Sequence, residues 1–161
     1  MFKPLIFVVI LGAAVGFMVP TGGEDEAPAA RAADTARAPL IPVETRIRRS
    51  PNGHFFVTAE VNGQPVRFVV DTGATGVALT EDDAKRAGVA FDPADFEHVG
   101  QGAAGPIQGQ RVNLASVVLD GKERLHVSGA VLQGADISLL GQSYLSRLRS
   151  VEMRGDEMIL R

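Results

Sequence analysis

From Val66 to Val70 the chain is apolar at every position but Arg67, and it then delivers Asp71 directly into Thr72-Gly73. Val66, Phe68 and Val70 on one face, with Val69 on the other, read as a short buried strand. Threonine and glycine immediately after it make a tight turn. An apolar strand that ends on a carboxylate is hard to explain by stability alone, because a buried charge is costly unless it is hydrogen-bonded or shared. Asp71 is therefore the first candidate for chemistry.

Composition removes most of the alternatives. The 161 residues contain no cysteine, so neither thiol catalysis nor a disulfide framework is available. A net charge of −3 argues against nucleic-acid binding, which normally shows a basic patch. Arg46-Ile47-Arg48-Arg49 reads as a strand with one solvated face. His54, His98 and His126 have no paired spacing, so no metal site is expected. Ser143 and Ser146 lack a Gly-x-Ser-x-Gly context. Carboxylate chemistry is what remains, and it needs no metal or organic cofactor.

Residues 5–19 form an apolar run behind Met1-Phe2-Lys3-Pro4. As a helix it would cover roughly 22 Å, against roughly 30 Å of bilayer hydrocarbon. Residues 1–19 are expected to be a membrane anchor or a signal peptide. Lys3 lies before the run and Glu24, Asp25 and Glu26 after it, so the positive-inside rule places the remaining chain outside the cytoplasm. Residues 20–42, rich in Ala and Pro, cannot bury enough surface to offset their ordering entropy and read as a flexible linker. Residues 43–161 are the size of one domain.

That domain reads as strands. Residues 43–48 are the first candidate, and residues 54–61 and 66–70 form a hairpin across Asn62-Gly63, both of which tolerate positive φ. Thr80 is a candidate N-cap for a helix over 81–87, with acidic residues first, Lys85 and Arg86 last, and Gly88 behind. Glycines at 100, 102, 105 and 109 forbid a stable helix and suit a hairpin or loop. Residues 111–119 and 123–132 pair across Asp120-Gly121, residues 142–148 are read as a short helix, and 151–153 with 157–160 as a closing hairpin.

Two motifs carry a resemblance. The apolar strand running into Asp71-Thr72-Gly73-Ala74-Thr75, followed downstream by Ile137-Ser138-Leu139-Leu140-Gly141, resembles the active-site turn of the aspartic proteases and the strand that passes behind it. With one Asp-Thr-Gly per chain, the sequence is similar to the retropepsin-like form, of the membrane-anchored bacterial type. The resemblance implies an all-β closed barrel with one or two short helices, active as a homodimer on a peptide or protein substrate. It implies that Asp71 activates a water together with Asp71 of a second copy, one carboxyl serving as base and the other as acid. It assigns Thr72, Gly73 and Thr75 to support of the turn, Thr75 as a hydrogen-bond partner of the carboxylate, and Leu139, Leu140 and Gly141 to the strand behind the site. Gly102, Ala103, Ala104 and Gly105 fall where the family carries a flap. It also implies a single-pass protein of a bacterial inner membrane facing the periplasm, or a secreted protein after signal cleavage. The alternative reading is a catalytically silent module that keeps the fold to bind peptides or to dimerise at the membrane.

Overall fold

The structure, a computed structural model, describes residues 40–102 and 105–161. The expected anchor over 1–19 and almost all of the linker over 20–42 lie outside the described residues, as do Ala103 and Ala104.

β2 (Phe56–Val61) and β3 (Gln64–Val70) form the expected hairpin. Asn62 and Gly63 turn it with φ of 51° and 82°. Asn62 does more than turn. Its side chain donates to Ala87 O at 3.1 Å and accepts from Ser116 N at 3.2 Å, tying the hairpin to two other elements. In β3, Val66, Phe68 and Val70 are buried while Arg67 is exposed, so the face read from the sequence is the core face. Burying side chains of this size contributes roughly 1.5–3 kcal/mol each.

After the Asp71 turn come β4 (Val77–Thr80) and α1 (Glu81–Arg86). Thr80 Oγ1 accepts from Asp83 N at 3.1 Å, the N-cap bond that satisfies an otherwise free amide. Gly88 follows with φ of 63°. Thr80→Ala should lose about 1 kcal/mol of stability. Urea unfolding would register it as a lower midpoint at unchanged slope.

A short 3-10 turn (Pro93–Asp95), capped by Asp92, leads into β5 (Glu97–Gly102), and β5 pairs with β6 (Gly105–Leu119). The glycine-rich stretch is thus two strands. β6 begins at Gly105, six residues before the expected start. β7 (Lys122–Leu132) returns from it across Asp120 and Gly121, both at positive φ. β8 (Ser138–Leu140) is followed by α2 (Gln142–Leu145), which ends before the expected 148.

The strands close on themselves. Their order is β2-β3-β8-β4-β7-β6, and β2 pairs with β6 through Glu60↔Val118 and Val61↔Val117, completing a six-stranded barrel. β5 hangs outside the ring as the hairpin partner of β6. Two contacts in the ring are parallel, β3 with β8 and β4 with β7. Phe68, Leu79, Leu114, Val131 and Leu140 fill the interior, each at most 1% exposed.

Beside the barrel, β1 (Thr45–Arg48), β10 (Glu157–Leu160) and β9 (Val151–Arg154) make a second sheet, with β10 in the middle. A buried cation joins this sheet's entry to the barrel. Lys122 Nζ donates to Val43 O and, at 2.8 Å, to Thr45 Oγ1, which in turn donates to Asp120 Oδ2 at 2.5 Å. Burial holds the Lys122 ammonium below the usual lysine range, with Asp120 opposing the effect. Tyr144 is also buried; its hydroxyl donates to Lys122 O at 2.7 Å, and desolvation pushes it up to about 12.

Candidate active site

Asp71 stands where β3 leaves the barrel wall, partly buried and held from two sides. Its amide donates to Leu140 O at 3.1 Å, extending the parallel pairing of β3 with β8 by one bond. Its carbonyl receives Ala74 N at 3.3 Å, closing a four-residue turn. Oδ1 of the carboxylate accepts from Gly73 N at 2.8 Å. The carboxylate is therefore fixed by the turn that follows it, and a Cβ at residue 73 would sit 3.3 Å from that same oxygen.

Leu139, Leu140 and Gly141 run beside the end of β3 and behind the turn. Val69 pairs with Leu139 and Val70 with Leu140. Gly141 then passes so close behind the turn that a Cβ there would lie 2.2 Å from Gly76 O and 2.7 Å from Ala74 O. The next two residues complete the cradle. Gln142 N donates to Ala74 O at 2.8 Å and Ser143 N to Thr75 O at 3.0 Å, while Gln142 Nε2 reaches Thr72 O at 2.8 Å. Ser143 Oγ donates to Ser128 O at 2.6 Å and accepts from Val77 N at 3.0 Å.

Gln142 and Ser143 were not among the residues read from the sequence as supporting the turn. Their signal was position alone, directly after Leu139-Leu140-Gly141. Among the described residues, the hydrogen bond to the Asp71 carboxylate comes from Gly73. Thr75 contributes its backbone carbonyl, and the exposed Thr72 contributes its own to Gln142.

Two clefts flank the turn. One, of about 460 Å³, is bordered by Asp71, His54, Phe56, Val69, Ile137 and Leu139. The other, of about 510 Å³, runs from Gly73 to Gly76 on one side and to Val99, Gln101 and Ile107 of the β5–β6 hairpin on the other. Gly102 and Gly105 pair at the end of that hairpin. The residues between them, Ala103 and Ala104, are outside the described set. The three histidines are dispersed, and no group of three or more metal-ligating side chains occurs among the described residues.

Residues 57–147, more than half of the chain, match the family model described as "gag-polyprotein putative aspartyl protease". A crystal structure of a retropepsin-like aspartic protease from Rickettsia conorii is 38% identical, with a TM-score of 0.62 over 73% of this chain and 89% of that one. This chain belongs to the retropepsin-like aspartic proteases. Two uncharacterised proteins are also similar in sequence. One, encoded in the cobV 5′ region of a Sinorhizobium species, is 34% identical over 73% of this chain and 52% of its own length. The other, from Rickettsia prowazekii (strain Madrid E), is 38% identical over 73% of this chain and 51% of its own. The chain spans about half the length of these curated relatives. The retropepsin-like barrel accounts for the geometry around Asp71: parallel pairing of β3 with β8 brings the Asp-Thr-Gly turn and the Leu-Leu-Gly strand together.

Proposed function

We propose that this chain is an aspartic endopeptidase whose site is completed by a second copy of itself. The observation that carries the reading is the single carboxylate of the Asp-Thr-Gly turn, held by a backbone amide, with one cleft against Asp71 and another against Gly73 to Gly76. Peptide hydrolysis of this type needs one carboxyl to take a proton from water and another to give one to the carbonyl oxygen. Each chain has one Asp-Thr-Gly. Two Asp71 side chains around one water supply both roles.

In this reading the β5–β6 hairpin, with its end at Gly102 to Gly105, covers a bound peptide and excludes water. Gly73 keeps one Asp71 oxygen engaged, leaving the other to act on the water. Thr72, Thr75, Leu139, Leu140 and Gly141 hold the turn in place through their backbone. Residues 1–19 would tether the domain to a bacterial inner membrane on its periplasmic side, and sharing one membrane would raise the effective concentration of the pair.

A site built from two chains follows mass action. Specific activity of the chain in dilute detergent solution should fall as protein concentration drops below the dimer's dissociation constant. Sedimentation across the same series should show dimer giving way to monomer. Constant specific activity from a species that sediments as monomer throughout would end the two-chain reading.

A further inference from the structure

Strand registers join the two clefts into one row. Phe56 lies opposite Val69, Val69 beside Leu139, Leu139 beside Ala78, Ala78 beside Ala130, and Ala130 opposite Arg111. Directly opposed residues share a face of a sheet. In β3 the core face is Val66, Phe68 and Val70, so Val69 and the row through it lie on the outside of the barrel wall. Asp71 follows Val69 by two residues, at one edge of this row. The row is apolar along five strands and then ends on a guanidinium.

Arg111 is exposed and borders the larger cleft with Val99, Ile107 and Leu132. A register shift between His98 and Gly100 takes Val99 out of the β5–β6 ladder, and Arg111 Nη2 donates to its carbonyl at 3.3 Å. That bond orients a planar group carrying five N–H donors. The arginines in ion pairs among the described residues are Arg46, Arg49, Arg86, Arg154 and Arg161. Arg111 is not one of them. At the other end of the row Arg67 is already committed, its guanidinium 4.4 Å from the centre of the Phe56 ring. The site therefore presents one oriented cation, without a carboxylate partner among the described residues, at the rim of an apolar cleft.

We infer that Arg111 selects substrates, and that the peptides taken by this site carry an acidic side chain close to the apolar residues that fill the cleft. The inference rests on the peptidase reading and names its substrate class. Along this row β6 is four strand spacings from β3, at most roughly 19 Å over the curved wall. An arginine side chain spans about 6 Å of that, so the acidic residue falls within about four extended residues of the scissile bond. A bracing role alone does not account for the charge, because the backbone ladder from Glu97↔Gly109 to Gly102↔Gly105 already joins the two strands.

The test uses the full chain and peptide pools that differ only by Glu against Gln at each position. Wild type should cleave the Glu peptide about tenfold faster in kcat/KM at one position, the size expected for a charge-assisted bond. Arg111→Glu should reverse the sign there, favouring Lys over Gln, and Arg111→Lys should keep the sign with a smaller ratio. A brace would move every peptide alike. Equal rates for Glu and Gln peptides in wild type, or an Arg111→Glu ratio unchanged from wild type, overturn the inference. Binding of the same peptides to Asp71→Asn separates it from the peptidase reading. Acid-selective binding that depends on Arg111, without cleavage by wild type, would retain the selectivity and remove the catalysis. Should Arg111→Glu misfold by circular dichroism, Arg111→Gln must abolish the Glu preference or the inference fails.

Discussion

Asp71→Asn should lower peptide hydrolysis by at least about 10³-fold, because in a two-chain site it removes the base and the acid together. The fold should survive. Asparagine has nearly the shape of aspartate, and its side-chain oxygen can still accept the Gly73 amide that Asp71 Oδ1 receives at 2.8 Å. What is lost is the capacity to take and return a proton. The measurement is kcat/KM of purified wild type and variant on one peptide, with thermal unfolding of both. Mixing adds a sharper expectation: excess variant should poison wild type, since a mixed pair holds one aspartate where two are required. Hydrolysis by the variant near the wild-type rate would take Asp71 out of the mechanism.

Gly141→Ala should be the most damaging single-methyl change in the domain's cradle. The added carbon would sit 2.2 Å from Gly76 O and 2.7 Å from Ala74 O, both backbone atoms of the Asp71 turn. Neither can swing aside as a side-chain tip would. Overpacking of this kind costs about 3 kcal/mol, read as a melting temperature lower by roughly 10 °C. Activity should fall further than stability, because relief of the clash displaces the turn that holds Asp71. Gly100→Ala is the control for stability: a Cβ there meets nothing within 4 Å. If Gly141→Ala melts with wild type, the close approach described here is wrong.

The parts of this molecule that could be read from the sequence are those whose physics is local. Val66, Phe68 and Val70 announce the buried face of β3 by alternation, and Asn62-Gly63 and Asp120-Gly121 announce turns because few other pairs tolerate positive φ. Thr80 announces α1 because a cap needs a side-chain acceptor directly before the helix. The candidate site was legible as Asp71 and its Thr-Gly, and Leu139-Leu140-Gly141 as the strand behind it. Less legible was the run from Gly105 to Gln110: three of its first five residues are Gly or Pro, and its strand character comes from pairing with β5 and β7 rather than from its own propensity. Pairing of β1 with β10 joins residues more than a hundred positions apart and left no local trace. Gln142 and Ser143 were missed for a related reason. They act on carbonyls and amides far back in the chain, and such a role follows from the parallel crossing of β3 and β8, which periodicity does not reveal.

That crossing has a consequence for how the protein is made. A nascent chain emerging from the ribosome displays Asp71 early, on a hairpin whose own two strands are complete. The groups that hold its turn from behind, Leu140 through Ser143, are translated about seventy residues later. Until they arrive, β3 has an open edge and the aspartate has no cradle. β1 waits longer still, because its only ladder partner, among the described residues, is the strand at 157–160. Contacts of such long sequence separation form late and slowly. Translation order therefore postpones assembly of the cradle until residues 140–143 have been made, so a chain halted before them carries Asp71 on an unbraced turn.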